Sequence, residues 1–189
     1  MEKNHMFRLF TGIGLPLRLR QQLHVLQEGI AGVGAGTRLT RPEDFHITLS
    51  FIGNVEAATA EDIDEALSGI RARRFSLTLQ GTGYSSGANG SHHLQAGVER
   101  SEALRRLKEK IDRDFEKHQL PFKKRSKYTP HVTIARIKRG SHARLGEFMQ
   151  QHNLFASEPF AVEEFILYRS HLDQEGASYE ALKAYPLFP

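Results

Sequence analysis

The spacing of apolar residues along the chain predicts short strands that alternate with amphipathic helices. A short, mostly apolar segment at 7–13 predicts a strand, and period-two alternation at 45–52 and 75–79 indicates two more. Between these runs, apolar residues recur every three or four positions, as they do on the buried face of a helix. The first half of the chain is therefore predicted to fold as strand, helix, strand, helix, strand.

Local signals predict where the two helices begin and end. Pro16 suits the first turn of a helix. Thr59, with Asp62 three residues later, resembles a capping box and predicts the start of the second helix. The glycine-rich segment 32–36 is expected to end the first helix, whose buried face carries Leu19, Leu23, Leu26 and Ile30.

The second half of the chain follows the same order at a constant offset of 85 residues. Adding this offset to Pro16 gives Ser101, which suits the N-cap of a helix. Adding it to Phe75 gives Phe160, at the head of another strand. Near the end, an apolar run followed by a turn at 173–176 predicts a last hairpin.

The repetition indicates one domain spanning 1–189, built from two pseudo-repeats at about 7–80 and 92–168. A chain of this length can bury a sizeable core, either as one body or as two lobes that share an interface. We therefore expect two lobes of the same topology, related by an approximate two-fold axis.

Composition excludes several classes of protein. The absence of cysteine removes disulfides, thiolate nucleophiles and cysteine-bound zinc together. No apolar run approaches the roughly 20 residues that cross a bilayer, and no apolar segment follows the first charged residues, so neither a membrane span nor a signal peptide is expected. These features are consistent with a cytoplasmic protein.

The net charge of +4 is unevenly distributed. Residues 100–144 hold fifteen lysines and arginines against five acidic residues, whereas the remainder of the chain is net acidic. A basic run can be merely a solvated surface, but next to a phosphate site it favours attraction of a polyanion such as RNA.

Two short segments of nearly the same sequence contain the candidate catalytic residues: His46-Ile47-Thr48-Leu49 and His131-Val132-Thr133-Ile134. On a strand, each segment places its histidine and threonine on one face and two aliphatic residues on the other. A histidine can act as base or acid at neutral pH, and a threonine hydroxyl can donate to an oxygen on which charge develops. One such pair could be structural, but two at equivalent positions indicate an acid and a base around one phosphorus.

The paired motifs resemble the signatures of the 2H phosphoesterase superfamily and, within it, of the RNA 2′,3′-cyclic phosphodiesterases, also called 2′-5′ RNA ligases. The likeness covers nearly the whole chain. Further segments resemble the family's opening strand, the approach to its first motif, its second motif with the following arginine, and a late strand: Phe7-Arg8-Leu9-Phe10, Arg41-Pro42-Glu43-Asp44-Phe45, Thr129 to Arg136, and Leu167-Tyr168-Arg169-Ser170.

This resemblance implies an α+β, bilobal 2H-phosphoesterase-like fold. Two pseudo-symmetric lobes, each with an antiparallel sheet and helices on its outer face, are expected to enclose a central cleft. The implied activity is hydrolysis of RNA 2′,3′-cyclic phosphate ends to 2′-phosphomonoesters. The implied partner is RNA with such an end, or a small cyclic nucleotide, rather than a membrane, and a monomer is sufficient.

The resemblance also implies roles for five residues. His46 is the expected proton donor to the leaving 3′ oxygen, and His131 the proton acceptor that activates water. Thr48, Thr133 and Arg136 are expected to bind the substrate phosphate. No metal and no other cofactor is implied, and the sequence contains no dense carboxylate cluster that could hold magnesium.

Strict alternation along a strand places Arg136 on the face opposite His131. Its contact with phosphate therefore requires either a bulge in the strand or a side chain that curls around the strand's end. A second histidine pair, His92 and His93, consists of neighbours whose side chains point apart, which argues against a shared metal site.

Three alternatives stay open from the sequence. The same two histidines could serve an ATP-independent 2′-5′ RNA ligase or a 2′-5′ phosphodiesterase. The basic region could belong to an RNA-binding module without turnover, whose binding would survive loss of both histidines. A two-histidine metal site is the third alternative, although it lacks a convincing further ligand.

Overall fold

The computed structural model describes residues 6–30, 36–86, 91–124, 127–138, 145–172 and 176–189. A short 3-10 helix at Pro42–Asp44 precedes the first motif. Within the described ranges the remaining elements are, in order, β1 (Phe7–Gly14), α1 (Leu17–Glu28), β2 (Thr37–Leu39), β3 (His46–Val55), α2 (Ala57–Ser68), β4 (Phe75–Leu77), β5 (Leu79–Ser86), β6 (His92–Val98), α3 (Glu102–Lys117), β7 (His131–Ile137), α4 (Leu145–His152), β8 (Phe160–Val162), β9 (Glu164–Leu172) and β10 (Ala177–Pro186).

The principal sheet has the strand order β10-β9-β1-β3-β7-β6-β5, with β2 also paired to β7. Neighbouring strands in it are antiparallel, and β4 and β8 form a separate antiparallel pair. At the centre, β3 and β7 are paired at Ile47 and Val132. This narrow junction divides the molecule into a first lobe (β1, β3, β9, β10) and a second lobe (β2, β5, β6, β7), which confirms the expected α+β, bilobal architecture.

Neither lobe is built from one continuous half of the sequence. Helix α1 belongs to the first half but contacts β7 in the second lobe, and α3 belongs to the second half but contacts β3 in the first. Likewise, β5 pairs with β6, and β9 pairs with β1. Each half therefore contributes a helix and a strand to the lobe that contains the other half's motif, and the two lobes interlock.

The core lies between the sheet and the helices. The aliphatic residues of both motifs point into it and are almost completely buried: Ile47, Leu49, Val132 and Ile134. Burial of these aliphatic side chains fixes which way each strand faces, since a one-residue slip would turn them to solvent. The motif histidines and threonines are consequently held on the opposite face.

Two predicted boundaries are confirmed, and the predicted start of the second helix is wrong. Ser101 caps α3, its hydroxyl accepting a hydrogen bond from the Leu104 N–H at 3.2 Å. The last hairpin is formed by β9 and β10, although 173–175 lie outside the described residues. Helix α2, however, begins at Ala57 after an extended Glu56 and has no side-chain cap, so Thr59 lies within it. The capping-box pattern failed because the helix starts directly at the end of β3.

The constant offset of 85 residues does not hold for the alignment of β1 with β6. In the first lobe Gly14 is paired with His46, and in the second lobe Gly97 is paired with His131, which corresponds to an offset of 83 between β1 and β6. A slip of two residues leaves every side chain on the same face, so hydrophobic patterning could not detect it.

None of the helices in the described ranges has the length and apolar character that crossing a bilayer requires.

Candidate active site

The two motifs meet at the junction between the lobes. The antiparallel pair of Ile47 and Val132 directs His46 towards Thr133 and Thr48 towards His131, on the face opposite the core. In such an arrangement directly opposed Cβ atoms are about 5 Å apart, and diagonal ones roughly 7–8 Å. The two histidines thus occupy one diagonal of a four-residue cluster and the two threonines the other.

Each of the two histidines forms the same kind of hydrogen bond with the backbone two residues earlier. His46 Nδ1 lies 2.7 Å from the carbonyl oxygen of Asp44, and His131 Nδ1 lies 2.9 Å from that of Thr129. Since a carbonyl oxygen only accepts, Nδ1 must carry the proton in each ring. The remaining nitrogen, Nε2, is then the group of each imidazole that can accept or deliver a proton.

The two rings differ in their surroundings. Aromatic rings surround His46, with centroid distances of 4.8 Å to Phe10, 4.7 Å to Tyr179 and 5.7 Å to Tyr168. Burial, together with the nearby positive charges of His131 and Arg136, lowers the pKa of His46 to about 4 against the opposing effect of Asp44. His46 is therefore neutral at neutral pH in the substrate-free protein.

A bulge at the last residue of each motif turns the side chain two positions later back to the cleft. In β3 the pairing with β1 skips Leu49, and in β7 the pairing with β6 skips Ile134. Each skipped residue adds one position to its strand, so Phe51 and Arg136 regain the face of the motif histidines. Of the two possibilities that the sequence left for Arg136, a bulge or a side chain that curls around the strand's end, the strand has the bulge.

The exchanged helices support these bulges with polar side chains. On α1, the buried Gln27 donates through Nε2 to the carbonyl oxygens of Ile134, at 2.7 Å, and Thr40, at 2.8 Å. On α3, at the position 85 residues later, Asp112 accepts a hydrogen bond from the Ser50 hydroxyl. At the second bulge the helix therefore holds backbone carbonyls, and at the first it holds the side chain of the residue after the bulge.

Beyond the bulges, the walls of the cleft differ in chemistry. In the first lobe Phe10 is paired with Phe51, and in the second lobe His93 is paired with Arg136. Partial burial lowers the pKa of His93, and the positive charges of Arg136, His131 and His92 lower it further. One wall is therefore aromatic and apolar, and the other is polar with a fixed positive charge.

The last strand contributes Tyr179, which contacts both walls. Its ring meets the rings of His46 and Phe10 edge-on, and its hydroxyl accepts a hydrogen bond from Arg136 Nη2 at 3.2 Å. Its backbone N–H donates to a carboxylate oxygen of Asp44 at 3.0 Å. The side chain of Asp44 is buried, and its carboxylate also accepts a hydrogen bond from Arg41 Nε at 2.8 Å.

The structure therefore brings all five sequence-predicted site residues to one cleft. His46, Thr48, Thr133 and Arg136 line its centre, and His131 lines an adjoining part that Thr48 also borders. Sequence reasoning missed Tyr179, which no motif marks, and Gln27. The second could have been found, because Gln27 is a polar residue on the otherwise apolar face of α1. Within the described residues, no group of three or more His, Asp or Glu side chains could hold a metal ion.

Some basic side chains in the described part of the basic region form ion pairs with acidic ones. Arg105, Lys108 and Lys124 pair with acidic side chains of α3. Lys123 instead lies beside the cleft, together with Thr48 and His131. Among the described basic residues of this region, Lys123 and Arg136 line the cleft.

The two-lobed antiparallel fold, with one His-x-Thr motif from each lobe meeting in a shared cleft, defines a two-histidine phosphoesterase. The family model described as the 2′-5′ RNA ligase superfamily matches residues 29–174, and the chain belongs to this family.

Relatives and solved structures agree with this assignment. The chain is 29% identical over 178 residues to a protein of Thermotoga maritima named RNA 2′,3′-cyclic phosphodiesterase, covering 93% of this chain and 92% of the relative. A protein of Archaeoglobus fulgidus with the same name is 25% identical over 178 residues, covering 94% and 99%. The structure of E. coli LigT complexed with 3′-AMP matches with a TM-score of 0.78 at 24% identity, over 98% of this chain and all of that one, and supports the fold.

Proposed function

We propose that the protein is a phosphodiesterase that hydrolyses 2′,3′-cyclic phosphate ends of RNA to 2′-phosphomonoesters. The observation that carries this proposal is the diagonal of His46 and His131 in one cleft, each with Nδ1 bound to a backbone carbonyl, which assigns proton transfer to Nε2. The names of the relatives from T. maritima and A. fulgidus support the same substrate class.

Opening a cyclic phosphate requires a base on one side of phosphorus and an acid opposite, roughly in line. In the proposed reaction His131 accepts a proton from the attacking water, and His46 donates one to the leaving 3′ oxygen. The new P–O bond forms on the His131 side, the P–O3′ bond breaks on the His46 side, and the phosphate remains on the 2′ oxygen.

Three further residues are proposed to bind the non-bridging phosphate oxygens, on which charge develops in the transition state. The hydroxyls of Thr48 and Thr133 occupy the second diagonal of the cluster, and Arg136 supplies a positive charge from beyond the bulge. Fixed donors of this kind stabilise the transition state because they need no reorientation during the reaction.

The acid role of His46 has to be reconciled with its lowered pKa. In the substrate-free protein the pKa of His46 is about 4, so Nε2 carries no proton to donate at neutral pH. A bound phosphodiester brings a negative charge next to Nε2, which raises the pKa of a neighbouring imidazole. We therefore propose that substrate binding itself protonates His46, which confines its acid form to the occupied site.

The test is incubation of the protein with adenosine 2′,3′-cyclic phosphate and, separately, with a short RNA that ends in a 2′,3′-cyclic phosphate, in the presence of EDTA. Phosphorus NMR and chromatography against authentic standards identify which hydroxyl retains the phosphate. The proposal expects the 2′-phosphate alone. Formation of the 3′-phosphate would reverse the assigned leaving group, and absence of hydrolysis in both assays would refute the proposal.

Both lobes of one chain supply the complete cluster, so a monomer is sufficient for the proposed activity.

A further inference from the structure

A pair of cations lies over the ring of Phe51, next to the reacting centre. The guanidinium carbon of Arg8 is 5.3 Å from the ring centroid, and Nζ of Lys123 is 5.0 Å from it. Arg8 lines the part of the cleft that contains His46, and Lys123 lines the part that contains His131. Phe51 borders both parts.

The backbone determines where the Lys123 side chain emerges. Its N–H donates to the carbonyl oxygen of Phe51 at 2.7 Å, which holds this segment beside β3. The next residue, Lys124, forms an ion pair with Glu116 on α3. Two successive lysines thus have different surroundings, one at the cleft and one on the helix surface.

Neither of the two cations over Phe51 has a carboxylate within ion-pair distance in the described part of the chain. The ion pairs there involve other basic residues, including the neighbours Lys108 and Lys124. The Phe51 ring attracts each cation weakly, by about 0.5–1 kcal/mol at exposed sites, and leaves its N–H groups available to an anion. This arrangement favours a negatively charged ligand over a base stacked on the same ring.

We propose that Arg8 and Lys123 form a second anion subsite, which binds the phosphate on the 5′ side of the terminal nucleotide. The proposal rests on the proposed function and names its substrate class more closely. In this proposal the terminal nucleoside lies against Phe10, whose strand partner is Phe51, and the phosphate on its 5′ oxygen meets the two cations over the Phe51 ring. The protein then acts on ends of RNA chains in preference to cyclic mononucleotides.

Three substrates separate the contribution of the 5′ phosphate from that of a second nucleoside. They are adenosine 2′,3′-cyclic phosphate with a free 5′ hydroxyl, the same compound with a 5′ phosphate, and the dinucleotide with a terminal 2′,3′-cyclic phosphate. For the unaltered protein we expect kcat/KM to rise about tenfold when the 5′ phosphate is added, as for one contact to a charged group. The dinucleotide should show a similar gain.

Two variants with adjacent substitutions provide the matched comparison. Lys123→Gln should remove most of the gain from the 5′ phosphate and reduce the slope of log(kcat/KM) against log salt by about 0.7, the value for one phosphate contact on a single strand. Lys124→Gln removes the same charge one residue later, and it should retain both the gain from the 5′ phosphate and the salt dependence of the unaltered protein. Lys123→Arg should retain the gain as well, because it preserves the positive charge, and Arg8→Gln should reduce it.

The remaining outcomes overturn the subsite. A gain that requires the second nucleoside but not the phosphate would indicate a base contact instead. Equal losses of Lys123→Gln on all three substrates would place Lys123 at the reacting phosphate. Absence of any gain in the unaltered protein would refute the subsite while leaving the proposed function intact, whereas failure to hydrolyse all three substrates would refute both.

Discussion

The two lobes share one scaffold and differ in the residues that it presents. Each places a histidine whose Nδ1 binds the carbonyl two residues earlier, and each has a bulge three residues after that histidine. Past the bulge, however, the first lobe presents Phe51 and the second presents Arg136. The backbone symmetry therefore supplies two similar proton-transfer groups, and the side chains beyond the bulges make their surroundings unequal.

This inequality has a direct electrostatic consequence. The aromatic rings of the first lobe bury His46 and lower its pKa, and Arg136 and His131 from the second lobe lower it further. On the proposed mechanism, the apolar wall accommodates the nucleoside and the charged wall binds the phosphate. Two similar motifs can then perform opposite steps of one reaction.

The largest expected effect comes from removing either member of the histidine pair. We expect His46→Ala and His131→Ala each to lower kcat by at least about 10²–10⁴, the usual contribution of one general acid or base. If the lobes contribute complementary groups, the double variant should be hardly worse than either single one. Initial rates on adenosine 2′,3′-cyclic phosphate measure all three.

His118→Ala is the matched control, because this exposed histidine at the end of α3 also binds a backbone carbonyl through Nδ1. Its activity should equal that of the unaltered protein. Circular dichroism of each variant separates loss of chemistry from loss of fold. Robust activity of His46→Ala or His131→Ala would contradict the pair.

The second prediction compares the two post-bulge residues. Arg136→Gln should lower kcat/KM by about 10²–10³, as expected for one donor to transition-state charge. It should also raise the pKa of His46, because it removes a positive neighbour. Phe51→Leu removes no charge and should cost less than tenfold. Equal losses in the two variants would show that the walls do not differ in function.

The sequence was sufficient for the parts of this architecture that depend on hydrophobic period. Alternation in the two motifs predicted which side chains face the cleft, and the repeat predicted two lobes. Composition and pattern could not reveal that α1 and α3 exchange lobes, since a helix buries the same apolar stripe against either sheet. Resemblance to a known family added the expected roles, which residue spacing alone did not distinguish.

Bulges mark the limit of sequence reasoning at the site. A bulge changes the face of every later residue, yet Leu49 and Ile134 are ordinary aliphatic residues with no local signal. The same limit applies to Tyr179, whose contacts with His46 and Arg136 arise only when β10 closes the sheet beside β9. Long-range pairings of this kind are not encoded in any short window.

The third prediction concerns stability against acid. The pKa of His46 falls from 6.5 to about 4 on folding. Between about pH 4 and pH 6.5, therefore, His46 is protonated in the unfolded chain and neutral in the folded protein. Stability should therefore decrease as pH falls from about 6.5 to about 4, by roughly 3 kcal/mol from this residue. Urea unfolding at several pH values, compared between the unaltered protein and His46→Gln, measures the contribution as a difference in slope. Identical slopes would show that His46 is not the group responsible.

The fourth prediction removes a support of the second-lobe bulge. Gln27→Leu keeps the apolar face of α1 but removes the Gln27 donor from the Thr40 carbonyl oxygen and leaves that of Ile134 with only the Thr40 N–H, at 3.0 Å. We expect a loss of about 1–3 kcal/mol in the free energy of unfolding, the usual cost of an unsatisfied buried polar group. Gln22→Leu, at an exposed position of the same helix, is the control. A loss no larger than that of the control would mean that the bulge does not depend on Gln27.

The smallest expected effect comes from Tyr179, which joins the two walls. Tyr179→Phe keeps the ring against His46 and removes the hydroxyl that Arg136 contacts, so we expect kcat/KM to fall about tenfold or less, with the titration of His46 nearly unchanged. Tyr179→Leu also removes the ring, so it should expose His46 and move its pKa upward, towards the ordinary value of a histidine. NMR of the labelled histidines follows this titration independently of activity. If both variants shift the pKa of His46 equally, the hydroxyl and the ring do not act separately, and the link between the walls is a single packing contact.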